Sequence, residues 1–114
     1  MESETISGVI LVVEDPFIQR YVRRILDHLP CAVVEAEAQR GAELVAADTG
    51  IRLVITNNPQ AFAASAERIP LLYTATFPDM DLASRFRSCR VLPKPFLPED
   101  LLRAVQALTS AAAR

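Results

Sequence analysis

The stretch that most constrains this chain is GVILVVEDP, residues 8–16, where an unbroken apolar run ends in two adjacent carboxylates, Glu14 and Asp15. Val9, Ile10, Leu11, Val12 and Val13 show no polar alternation and are mostly β-branched. That pattern suits a parallel strand covered on both faces better than a helix. In an open parallel sheet the carboxyl ends of the strands open onto the crevice where ligands bind, and the acids stand at that end. Asp15 before Pro16 is equally a plain helix start, with Asp as N-cap and Pro in the first helical position. The pair alone does not separate a site from a cap.

The 114 residues, 51% hydrophobic and with a formal net charge of -2, are expected to form one domain over residues 1–114, fraying at 1–7 and 110–114. The charge is small and mixed in sign, which argues against nucleic acid or an anionic membrane as partner. No apolar run reaches the length of a membrane span, and the opening MESETIS lacks the basic and apolar regions of a signal peptide. A cytoplasmic location is the expectation. Cys31 and Cys89 each begin an apolar run and read as small buried thiols; neither has metal-ligand spacing or a nearby histidine. His28, the single histidine, falls late in a helical segment, where a cation suits the helix dipole.

Strand and helix alternate along the chain with short joins. Residues 17–29 place Ile18, Val22, Ile25 and Leu29 on one face, with Tyr21 at its edge, and turn Arg20, Arg23 and Arg24 outward. Pro30 closes that helix. Residues 31–36 read as a second strand, 37–48 as a second helix stopped by Gly50 in the left-handed cap position, and 51–56 as a third strand. Asn58 and Pro59 repeat the cap-then-proline signature and open a short helix to about Arg68. Residues 70–75 form a fourth strand, 79–87 a short helix and 89–92 a fifth strand, and a final helix from about Pro98 buries Leu101, Leu102, Val105 and Leu108. Five βα units with right-handed crossovers make a three-layer α/β/α sandwich around a parallel sheet.

Several motifs in this order carry a resemblance. The strand ending in Glu14-Asp15, then Glu35-Ala36 with Gly41, and above all Leu92-Pro93-Lys94-Pro95-Phe96 followed by Glu99-Asp100-Leu101-Leu102, resemble the receiver domain of two-component response regulators. The match spans essentially the whole chain and implies the flavodoxin-like fold, a five-stranded parallel sheet of order 2-1-3-4-5. It also implies that the acidic pair holds Mg²⁺ and that an Asp after the third strand accepts a phosphoryl group from a histidine kinase. A hydroxyl after the fourth strand and a Lys after the fifth would contact that group, and an aromatic near the fifth strand would respond to it. A carboxylate serves there as nucleophile and hard oxygen ligand, while Lys and Mg²⁺ neutralise the phosphoryl oxygens.

Transferred residue by residue, the resemblance divides. Glu14 and Asp15 match the acidic pair, and Lys94 with Pro95 matches the Lys-Pro turn, a cis candidate by the same resemblance. The phosphoacceptor position holds Asn57, whose amide cannot form the acyl phosphate that an ionised Asp forms. The switch hydroxyl, counted from Pro70, falls on Ala75, flanked by Thr74 and Thr76; the aromatic switch position falls on Val91. The segment from Asn57 to Pro70 is shorter than in the family, and the fourth helix is trimmed.

The expectation is therefore a pseudo-receiver, a non-enzymatic phosphorelay signalling module that binds a partner without a phosphorylation cycle. With one carboxylate fewer, Glu14 and Asp15 would bind Mg²⁺ weakly at most, and no other cofactor is implied. Lys94 would then supply the missing positive charge; the alternative for Lys94 is a solvated turn residue. Expected partners are a histidine kinase, a phosphotransfer protein or another regulator, docking on the first helix through Phe17, Arg20 and Arg24. A homodimer through the fourth and fifth units is a further expectation, and solvated arginines are the plainer account of the first helix. A competing reading is an Mg²⁺-dependent receiver phosphorylated elsewhere than Asn57, with Asp15 the nearest carboxylate. A flavin or nucleotide binder is disfavoured because EDP stands where a phosphate loop needs Gly and free backbone N–H groups.

Overall fold

The computed structural model describes residues 8–47 and 50–112, with side chains through residue 109. Strands β1 (Val9–Val13), β2 (Ala32–Glu35), β3 (Ile51–Thr56), β4 (Leu71–Ala75) and β5 (Cys89–Pro93) form one sheet of order β2-β1-β3-β4-β5. Every pairing is parallel, as crossover connections require. Helices α1 (Pro16–Leu26), α2 (Ala38–Ala46), α3 (Met80–Ala83) and α4 (Pro98–Ala112), with a 3₁₀ segment at Pro59–Ser65, cover its faces.

Strand alternation splits the core in two. Ile10, Val12, Leu53, Ile55 and Leu72 pack under α1 and α4 with Val22, Ile25, Leu26, Leu101 and Val105. Leu11, Val13, Val54, Leu71 and Tyr73 pack on the other face with Val45, Phe62 and Phe86. Because both faces of β1 are buried, its run has no polar position until Glu14. Gly41, buried in α2, lies so close to β1 that a Cβ there would stand 2.8 Å from Val13 Cγ2. Gly50 adopts φ +83° before β3, the left-handed conformation read from the sequence.

Element ends depart from the sequence reading where tertiary contacts intervene. Helix α1 ends at Leu26 with Asp27 as its C-cap, so His28 lies in the following turn and Leu29 still packs on the core. Asp48 lies outside the described residues. The segment after β3 is 3₁₀ rather than α-helical. An i→i+3 helix rises about 2.0 Å per residue against 1.5 Å, so this short connection gains reach by tightening. Helix α3 is one turn, not the span 79–87: Phe86 turns into the core and the Arg87 N–H donates to Ala66 O at 3.0 Å. Cys31 and Cys89 are half-buried rather than buried. Residues 1–7, 113 and 114 lie outside the described residues, and α4 stays helical through Ala112.

Candidate functional site

Four residues leave the sheet together at its carboxyl edge. Val13 is in register with Thr56 and Thr56 with Tyr73, so Glu14, Asn57 and Thr74 stand at one level on neighbouring strands. Lys94 follows β5, where Ala75 is in register with Pro93. Its N–H donates to Ala75 O at 2.9 Å, and the Lys94-Pro95 bond is cis. The turn thus carries the ammonium back over the strand ends.

Glu14 is the centre of the cluster. Its side chain is 0% exposed, and Lys94 Nζ lies 3.0 Å from Oε1. The Asp15 N–H donates to the same oxygen at 3.2 Å, and the Thr74 hydroxyl donates to Oε2. Both carboxylate oxygens therefore have donors, the condition under which a charge can stay buried. The Gln19 side-chain amide fixes the backbone beside the cluster, donating to Val12 O at 3.1 Å and Ala36 O at 3.0 Å. Gln19 was not singled out in the sequence, where nothing distinguishes it from other polar helix residues.

The remaining predicted positions sort clearly. Asp15 occupies the N-cap position of α1, but its side chain makes no capping bond and it is exposed at the rim. Asn57 is exposed at the tip of β3, and its side chain makes no hydrogen bond among the described residues. The adjacent Asn58 N–H donates to Thr56 Oγ1 at 2.9 Å. Val91 is half-buried and packs on the α2 face of the sheet.

One position must be corrected. The hydroxyl directed at the acids belongs to Thr74, which is fully buried, not to the Ala75 position. Counting from Pro70 overshoots by one residue, and Ala75 contributes its backbone carbonyl to Lys94 instead. Glu14 therefore meets a threonine hydroxyl although the counted position holds an alanine. A Thr at the inner end of an otherwise apolar strand, opposite a buried acid, was the available signal.

A second feature lies on α1. Phe17 is 84% exposed, and with Arg20, Tyr21 and Arg24 it forms a shallow surface hollow. Tyr21 is held by its hydroxyl, 3.4 Å from Phe96 O, and by its ring against Phe96 at 5.8 Å between centroids. The hollow adjoins a second one, where Tyr21 and Arg24 meet His28, Pro98 and Leu102.

No protein-family model matches the chain, nor does any curated protein. Solved structures do. A response regulator receiver protein from Sinorhizobium medicae WSM419 superposes with TM-score 0.75 at 17% identity, covering 96% of this chain and 98% of that one. The chemotaxis response regulator CheY4 of Vibrio cholerae gives 0.74 at 21% identity, over 90% and 99% of the two chains. The signal receiver domain of an HD domain-containing protein from Pseudomonas fluorescens Pf-5 gives 0.76 at 18% identity, over 99% and 93%. The chain has the receiver fold. Its sheet order is the one that the resemblance to receiver domains implies, and the acid cluster stands at the carboxyl edge of that fold.

Proposed function

We propose that the chain is a two-component signal-transduction receiver module that works without a phosphorylation cycle, as a non-enzymatic partner-binding domain. The observation that carries this reading is Asn57, a carboxamide at the tip of β3 level with Glu14 and Thr74. Acyl phosphate formation needs an ionised carboxylate as nucleophile, and the amide nitrogen is already conjugated to its carbonyl. The Lys94 ammonium and Thr74 hydroxyl, which could contact a phosphoryl group, are spent on Glu14.

The donor set fits Mg²⁺ poorly. A divalent cation using Glu14 must displace an ammonium at 3.0 Å, and Asp15 is the one other carboxylate of the pair. Among the described residues no group of three or more His, Cys, Asp or Glu side chains could hold a metal ion. No step of the proposed function therefore runs through a metal. The described residues also contain no helix long and apolar enough to cross a membrane.

The α1 surface supplies the partner site in this reading. An exposed aromatic flanked by Arg20 and Arg24 combines apolar area with charge, the composition of interface anchors. A histidine kinase, a phosphotransfer protein or another regulator is the class of partner proposed.

Incubation with acetyl phosphate and Mg²⁺, followed by intact mass measurement, tests the reading. The expected result is an unchanged mass and a melting temperature insensitive to Mg²⁺, since a ligand bound only by the folded state raises it. A phosphoryl group mapped to Asp15 would instead establish the competing, phosphoryl-accepting receiver.

A further inference from the structure

We propose that the outer edge of β5 is a docking site for an extended acidic segment of another protein, which adds to the sheet as a sixth strand. The proposal uses no feature of the acid cluster and stands whether or not the domain is phosphorylated.

The backbone pattern defines the edge. β5 is the last strand of the sheet, paired with β4 from Leu71↔Cys89 to Ala75↔Pro93. Leu71 N–H donates to Ser88 O, and Lys94 N–H to Ala75 O, each at 2.9 Å. In a parallel ladder the inward-bonding residues alternate, so Ser88, Arg90, Leu92 and Lys94 spend their backbone groups on β4. The N–H and C=O groups of Cys89 and Val91, and the C=O of Pro93, point away from the sheet. This is the template that strand addition uses.

A groove of about 540 Å³ runs beside this edge, between β5 and the start of α4, lined by Arg90, Leu92, Phe96, Asp100, Arg103 and neighbours. Side chains alternate across a strand, so every second residue of an added segment would point into it. Its charge selects the occupant. Asp100 is engaged locally, accepting from Leu97 N–H at 3.2 Å and lying 3.9 Å from Arg103. Arg90 is exposed and makes no ion pair among the described residues. An acidic side chain at alternate positions meets that guanidinium.

A second copy of the chain fits less well. Antiparallel β5–β5 pairing about Val91 sets Cys89 against Pro93 of the other copy, and Pro93 has no N–H to return, so a bond is lost on each side of the axis. It also brings Arg90 of both copies to one ribbon. A foreign strand meets Pro93 once rather than on both sides of an axis, can end before it, and brings no second Arg90.

The probe is an acetylated, fluorescein-labelled peptide alternating glutamate with valine and threonine, compared with its lysine-for-glutamate counterpart and with a version N-methylated at alternate amides. Anisotropy titration is combined with amide shift mapping of the whole chain. The acidic peptide is expected to bind, to shift and protect the Cys89 and Val91 amides, and to weaken as salt is raised. The N-methylated peptide should lose about tenfold, the equivalent of roughly one hydrogen bond. Arg90→Glu should move the preference to the lysine peptide. Val91→Pro removes an outward donor at an edge position that tolerates proline, and should also lose about tenfold if its melting curve is native. Equal binding of the N-methylated peptide, shifts confined to α1, or concentration-dependent dimerisation through β5 would each overturn the proposal, even if Val91→Pro fails to fold.

Discussion

Glu14 carries its charge at 0% side-chain exposure, so the worth of each donor around it can be measured by deletion. Lys94→Met leaves that charge without its cation. The expected loss is about 2–3 kcal/mol at neutral pH, below the ~3–5 kcal/mol of a fully enclosed pair because Lys94 retains some contact with water. Urea unfolding measures it, and the double variant with Glu14→Gln should recover most of the loss. A Lys94→Met protein as stable as the parent would return Lys94 to the status of a solvated turn residue. Thr74→Val keeps the shape and removes the donor to Oε2, for an expected loss of about 1–2 kcal/mol by the same assay. At this scale the resemblance grouped Glu14, Asp15, Asn57 and Lys94, and of these the structure joins Glu14 and Lys94 by a side-chain contact. The hydroxyl position, counted from Pro70, was put on Ala75 with Thr74 as its flank, because strand register, not residue type, decides which side chain reaches the cluster.

Strands were the most legible elements. The third was read to its true ends, because the β-branched and apolar residues of IRLVIT are bounded by Gly50 and Asn57. Helix ends were less so. The periodicity of residues 17–29 continues past Leu26, but Leu29 satisfies it from a turn rather than from the helix. Helices 58–68 and 79–87 shrank to a 3₁₀ segment and a single turn, since the reach of each connection was set by the sheet it spans. Packing of α2 on β1 gives a test at this scale. Gly41→Ala gains about 1 kcal/mol of helix propensity but places a methyl 2.8 Å from Val13 Cγ2 and 3.3 Å from Phe62 Cζ, both in buried, close-packed side chains. A net loss of about 1–2 kcal/mol in chemical denaturation is expected; a stabilised variant would show that α2 can move away from the sheet.

For the whole molecule, folding changes the titration of both cysteines. Burial pushes the Cys89 thiol from its ordinary 9.0 up to about 11 and raises Cys31 in the same sense. A thiol that keeps its proton longer in the folded chain than in the unfolded one contributes stability below pH 9, and loses it as pH rises toward 11. The melting temperature should therefore fall more steeply over that range in the parent than in Cys89→Ala. Parallel slopes would show that Cys89 titrates alike in both states. The sequence by itself determined a parallel sheet with acids at its edge, because uninterrupted apolar runs and strand-end position are properties of the chain read in one dimension; the strand order came from the resemblance to receiver domains. Only the tertiary structure decided that Thr74 and Lys94 both bind Glu14, that Asp15 faces water, and that β5 is an edge strand beside a groove lined by Arg90. Those facts depend on which side chains and backbone groups meet across strands far apart in sequence. Register and burial set them, and neither is written in local composition.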